Sequence, residues 1–180
     1  ISGMTIIAKS VLDDREKALD CLEKIESANT YLLGLINDIL DMSRIESGKM
    51  ELSYESIDLE QQLSNLESLF RAQAEEKHLE LTFENDYRKK RPLRADSLRL
   101  NQILVNIIGN AIKFTELGSV AVRVKVLEEE PRALIRFSVT DTGIGIERAA
   151  MRRIFNAFEQ ADALTASRHG GTGLGLSISS

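Results

Sequence analysis

Cysteine occurs once in the 180 residues, at Cys21, and histidine only twice. A single thiol closes no internal disulfide, and one cysteine with two histidines offers no metal-ligand cluster of the zinc-ribbon kind. Basic charge is also scarce. With 23 Lys+Arg against 28 Asp+Glu the formal net charge is −5. No basic stripe is left to neutralise phosphates, which argues against a nucleic-acid-coating protein. Apolar runs extend only a few residues, so no membrane span is expected within the chain. No basic segment followed by an apolar one opens the sequence at Ile1, so no secretory signal is expected. These absences favour a reducing, cytoplasmic setting. What remains is 43% hydrophobic and 28% charged, a composition that folds. The length suits one ordinary domain, or a small helical piece joined to a modest α/β domain.

Up to about Met50 the pattern is helical and poor in turn residues. Leu22, Ile25, Ala28, Leu32, Leu35, Ile39, Met42 and Ile45 follow one another in steps of three and four. That is the seam spacing of a coiled coil or four-helix bundle. Leu33, Ile36 and Leu40 widen the stripe, so the helix needs more than one neighbour. A shorter helix is expected over 1–11, joined by the charged stretch 12–16. Two helices alone enclose too little core. Self-association into a four-helix bundle would remedy this, and so would packing of the hairpin onto the downstream part of its own chain.

Ser47-Gly48 ends the helical region. The spacing then predicts a strand over 50–57, a helix from an Asp58 N-cap to about Glu76, and a strand over 79–83. A charged loop covers 85–92, and a second helix runs over 97–114 with Gly118 at its exit. Two strands, 120–127 and 133–140, flank the turn-like Glu128-Glu129-Glu130-Pro131. Helices interleaved with antiparallel strands predict an α+β sandwich.

Three groups of residues carry candidate chemistry. On the helix over 97–114, Arg99, Gln102, Asn106, Asn110 and Lys113 are three, four, four and three apart and share one face. Leu100, Ile103, Leu104, Ile107 and Ala111 are expected on the opposite, buried face. A solvated face is ordinarily Glu, Lys and Arg, because Asn is a mediocre helix former. Carboxamide oxygens can coordinate Mg²⁺, and a lysine can meet a phosphate. On this helix alone, a chance polar face is an equal reading. The second group is Asp141-Thr142-Gly143-Ile144-Gly145-Ile146 after an apolar strand. An aspartate there can accept from an exocyclic amine, and glycines let backbone pass close to a flat ring. By itself such a segment usually marks only a turn. The third, Gly170-Gly171-Thr172-Gly173-Leu174-Gly175-Leu176, precedes what reads as a helix start, where backbone N–H groups can hold phosphates. No Lys-Ser/Thr follows it and no strand leads into it, so it is neither a Walker A loop nor a dinucleotide fingerprint. The stretch 147–169 between the two glycine groups has a lid's length, with Phe155 and Phe158 either as its anchors or as part of a short packed helix.

Taken together, these segments resemble the sensor histidine kinases, within the wider GHKL group of ATPases that includes gyrase and certain heat-shock chaperones. Residues 104–115, from Leu104-Val105-Asn106 to Phe114-Thr115, match the family's N box. Asp141 to Ile146 match its first glycine box, Ile154-Phe155-Asn156-Ala157-Phe158 its F box, and Gly170 to Leu176 its second glycine box. The segment 38–49 is similar to the end of the family's dimerising helix. The likeness covers essentially the whole chain and is strongest to the hybrid, phosphorelay type.

The resemblance implies an α+β fold with two parts. Residues 1–49 are a helical hairpin that dimerises as a four-helix bundle, and 50–180 are an ATP-binding α/β sandwich. It implies ATP and Mg²⁺ as ligands, with Asn110 on the metal, Asn106 and Lys113 at the phosphates, and Asp141 on the adenine amine. Gly143 and Gly145 shape the adenine pocket, and Gly171, Thr172, Gly173, Leu174 and Gly175 close over the triphosphate. The implied activity is transfer of the γ-phosphoryl group to a histidine and then to the aspartate of a response-regulator receiver domain. A non-catalytic nucleotide-sensing dimerisation module is the alternative. A hydrolysing ATPase is disfavoured, since the gyrase-type relatives carry Glu where Asn106 stands and an asparagine is no general base. Ile1-Ser2-Gly3-Met4 is similar to sequence just after the family's H box, so the acceptor histidine is expected before residue 1. His78 and His169 are not expected to replace it, and these 180 residues alone are expected not to autophosphorylate. The family's last helix and closing strand are expected beyond Ser180. No membrane contact is expected within the chain, an inner-membrane anchor of the parent lying, where there is one, outside it.

Overall fold

The computed structural model describes residues 1–87, 93–128, 133–151, 153–156 and 173–179. The chain divides into two compact units, Ile1–Met50 and Glu51–Ser180. In the first, α1 (Ser2–Ser10) packs against α2 (Arg15–Glu46). Asp14 starts α2, its carboxylate accepting from Lys17 N at 3.2 Å. Gly48 ends it in the left-handed region at φ 64°, with Gly48 N and Lys49 N donating to Ile45 O and Arg44 O. Ala8 and Cys21 are buried, while Leu22, Leu32, Leu33, Ile36, Ile39 and Leu40 stay exposed along α2. Asp41 is buried as well.

The second unit contains β1 (Glu55–Ile57), α3 (Leu59–Glu76), β2 (Glu80–Asn85), β3 (Leu93–Ala95), α4 (Ser97–Phe114), β4 (Ser119–Glu128), β5 (Leu134–Asp141) and α5 (Gly175–Ile178). Asp58 and Asp96 are the N-caps of α3 and α4, accepting from Gln61 N and Arg99 N. β4 is the centre of a three-stranded sheet ordered β2-β4-β5. Its alternate residues Val120, Val122 and Val124 are 0–1% exposed beneath the helices. On the other face Arg123 pairs with Glu84 of β2 at 2.8 Å. The main core joins Leu66, Phe70 and Ala74 of α3 to Leu104, Ile108, Ala111 and Ile112 of α4, over Val120 and Val122. A smaller cluster of Leu59, Leu63 and Val124 adjoins it, and Leu100 packs against both.

Three expectations are corrected. The sheet is mixed, because β2 and β4 run parallel while β4 and β5 are antiparallel. The chain between β2 and β4 passes through α4, and such a crossover returns the strand in its original direction. The strand expected over 50–57 is only Glu55–Ile57, since its partner β3, unforeseen in sequence, offers three residues for pairing. Residues 51–54 are tied instead by Ser53 N donating to Asp96 Oδ2 at 2.9 Å and by Arg94 Nη2 donating to Tyr54 O. The core face of α4 is also rotated from the expected one. Ile108 and Ile112 are buried with Leu104 and Ala111, while Leu100, Ile103 and Ile107 are half-buried. This face also meets α3, whose Leu66, Phe70 and Ala74 share the core with it, and a Cβ on Gly109 would sit in ordinary contact with the Phe70 ring at 3.7 Å.

Candidate functional site

The polar stripe on α4 emerges where burial leaves it. Arg99, Gln102, Asn106, Asn110 and Lys113 are all half-buried. Arg99 Nη1 donates to Gln102 Oε1 at 2.8 Å, so the first two members hold each other. Asn106 reaches further, its Nδ2 donating to the carbonyl of Gly175 at 3.2 Å. A Cβ on Gly175 would meet the Asn106 carboxamide at 3.2–3.4 Å, so glycine permits this approach. The contact joins the middle of α4 to the start of α5. Lys113 lies in the last turn with Nζ 5.0 Å from the centre of the Phe114 ring, and burial pushes its ammonium below the usual lysine range.

The segment after β5 is anchored to the end of the same helix. Ile144 N donates to Phe114 O at 3.3 Å, and Gly143 N donates to Asp141 Oδ1 at 2.9 Å. A Cβ on Gly143 would lie 2.5 Å from Phe114 O and 2.9 Å from Asp141 Oδ1, so this position admits no side chain without backbone movement. Thr142 fastens the opposite side. Its Oγ1 accepts from Ser119 N at 3.0 Å and donates to Leu117 O at 3.2 Å. Gly118, at φ 110°, makes room for that hydroxyl, which a Cβ would approach to 2.2 Å. Asp141 is exposed at the strand end with one carboxylate oxygen already accepting from Gly143. Gly145 and Gly173 both take φ 70°, which glycine adopts without steric cost.

The structure therefore brings Asn106, Asn110 and Lys113 onto one helix, and attaches to that helix both Asp141-Gly143 and Gly175. Leu174 is fully buried, so its side chain anchors the start of α5. Gly171 and Thr172 lie outside the described residues, as do His169 and Phe158. Phe155 is half exposed, at 50%, on a run of turns that begins with Ala150 N and Met151 N donating to Glu147 O. His78 is exposed and occupies the left-handed region at φ 56° just past α3. No group of acidic, cysteine or histidine side chains among the described residues forms a metal cluster. A metal here would depend on carboxamide oxygen and on phosphate, as at Asn110. No described helix is long and apolar enough to cross a membrane.

Sequence reasoning missed Lys77, whose ammonium donates to the carbonyls of Ile112, Lys113 and Thr115 at 2.8, 2.9 and 3.4 Å. These acceptors are 35–38 residues away along the chain, so no local pattern could have signalled the contact.

Comparison with known proteins gives this arrangement a family. Residues 95–180 match the family described as histidine kinase-, DNA gyrase B- and HSP90-like ATPase. Sensor histidine kinase GacS of Pseudomonas protegens is 42% identical over 181 residues, covering 99% of this chain and 20% of the relative. Residues 95–180 belong to this ATPase family, and the curated relatives of the chain are histidine kinases. Sensory/regulatory protein RpfC of Xanthomonas campestris pv. campestris is 37% identical over 181 residues, covering 99% of this chain and 25% of its own. Among solved structures, full-length ShkA in complex with AMPPNP is 37% identical with a TM-score of 0.73, covering 91% of this chain and 32% of ShkA. The chain spans about a fifth to a quarter of the length of these curated kinase relatives.

The turn at Gly143 is open to direct test. Gly143→Ala should lower the unfolding free energy by about 1–3 kcal/mol, as an overpacked site does, seen as a lower urea midpoint at unchanged slope. An unchanged midpoint would mean that Phe114 and Gly143 are not held in contact.

Proposed function

We propose that this chain is the dimerising and ATP-binding core of a sensor kinase. It binds Mg²⁺-ATP and passes the γ-phosphoryl group to a protein histidine, from which it moves to a response-regulator aspartate. The observation that carries the reading is that the helix bearing Asn106, Asn110 and Lys113 is bonded to both glycine-rich segments, through Gly175 and through Ile144. Asn110 offers a carboxamide oxygen to Mg²⁺, which when bound neutralises charge on the phosphates. Asn106 and Lys113 face the phosphates, and Asp141 accepts from the adenine amine, with Gly143 and Gly145 shaping the pocket. Gly171, Thr172, Gly173, Leu174 and Gly175 form the phosphate-side closure. Positioning and charge neutralisation carry most of a phosphoryl transfer, so few acid–base groups are required.

Asn106 also bears on what the site does not do. A carboxamide takes no proton from water, and the one at Asn106 is engaged with Gly175. The site therefore keeps the γ-phosphoryl group for a protein acceptor instead of hydrolysing it.

Calorimetry with AMPPNP tests the site. The unaltered chain should bind in a Mg²⁺-dependent way, and Asn110→Ala should weaken that binding by about tenfold or more without lowering thermal stability, since its carboxamide is not part of the core. Equal affinity of the two proteins would remove Asn110 from the metal.

The helical unit carries the second part of the proposal, a homodimer. Leu22 is 55% and Ile39 48% exposed on the apolar stripe of α2, which a second copy would cover. Sedimentation should find the chain dimeric and Ile39→Glu monomeric, because the seam would hold an unpaired carboxylate. A monomeric unaltered chain would contradict the seam.

A further inference from the structure

The C-terminal end of α4 is unusual in how its carbonyls are satisfied. The last four carbonyls of a helix have no intrahelical partner, and here each finds one from outside the helical ladder. Thr115 Oγ1 donates to Ala111 O at 2.7 Å, and Ile144 N donates to Phe114 O at 3.3 Å. Lys77 supplies the rest, giving Ile112 O, Lys113 O and Thr115 O one donor each, which matches the three N–H groups of an ammonium. The base of this side chain is itself fixed. Lys77 closes α3, its N–H donating to Gln73 O at 3.3 Å, and Leu79 beyond it is buried in the core.

Two consequences concern the ligand. The carbonyl of Lys113 is one of the three atoms that Lys77 holds, so Lys77 sets the backbone from which the Lys113 side chain projects. The carbonyl end of a helix also carries the negative pole of its dipole, which opposes an anion brought to the last turn. A half-buried cation seated on those carbonyls cancels that pole without competing for the phosphate. From this geometry we infer that Lys77 is a positioning residue for nucleotide binding, acting through the end of α4 on the polyphosphate and not by touching it. The inference rests on the reading of α4 as the nucleotide-binding helix.

A dipole-cancelling cation has a signature that a purely structural residue lacks, because its effect grows with ligand charge. Calorimetry with AMPPNP and with ADP, each with Mg²⁺, should show Lys77→Met weakening AMPPNP by about tenfold and ADP by distinctly less. Lys77→Arg, which keeps both charge and donors, should restore most of the AMPPNP affinity. If Lys77→Met does not unfold cooperatively, Lys77→Gln carries the same comparison, keeping two donors and losing the charge. No AMPPNP binding by the unaltered chain would sink the nucleotide reading and this inference with it. Binding by the unaltered chain, with Lys77→Met or Lys77→Gln unaffected or weakened equally for both nucleotides, would overturn the role of Lys77 alone.

Discussion

The second unit depends on α4 burying one side completely while keeping the other polar. Leu104, Ile108, Ala111 and Ile112 meet Val120 and Val122 of the central strand, and each fully buried Leu, Ile or Val contributes roughly 1.5–3 kcal/mol. That burial fixes the rotation of the helix about its axis. With the rotation fixed, Asn106, Asn110 and Lys113 can only be on the opposite side, where carboxamides and an ammonium tolerate being half in water. A helix packed on the sheet alone could roll slightly. α3 gives it a second neighbour, with Phe70 beside Gly109 and in the same core as Leu104 and Ile108.

The ends of α4 convert this placement into a site. At the start, Asp96 accepts from Arg99 N with one oxygen and from Ser53 N with the other, and these bonds hold its carboxyl below the usual aspartate range. At the finish, the orphan carbonyls draw in Lys77 and the segment after β5. Glycine is required at two points of this junction for different reasons. Gly118 has a positive φ and leaves space for the Thr142 hydroxyl, whereas Gly143 lies against the Phe114 carbonyl with no room for a Cβ. The lysine contacts and the tight glycine thus serve one purpose, which is to fix where α4 stops.

Much of this was legible in the sequence, and the reasons for the failures are specific. The limits of α3 follow from its Asp58 cap and apolar periodicity, those of α4 from periodicity and the exit at Gly118, and the helix from Arg15 to Glu46 from its three-and-four spacing. The polar stripe on α4 was visible because asparagine is a poor choice for an ordinary solvated face. β3 was invisible because three residues carry no alternation. The parallel pairing of β2 with β4 depends on the path of the chain between them, which periodicity does not encode. The exact core face of α4 depends on α3, a neighbour known only once the fold exists. Lys77 illustrates the general limit. A lysine after a helix reads as solvated charge until the carbonyls it holds are brought to it from another element.

The most direct measurement of the central claim is a residue-by-residue map of nucleotide binding by NMR. Backbone and asparagine side-chain resonances would be followed as Mg²⁺-AMPPNP is added to the ¹⁵N-labelled protein. The account predicts that the largest shifts fall on Asn106, Asn110, Lys113, the segment from Asp141 to Gly145, and Gly173 to Gly175, with the outward face of α3 unmoved. Shifts confined to α1 and α2, or none at saturating nucleotide, would contradict it.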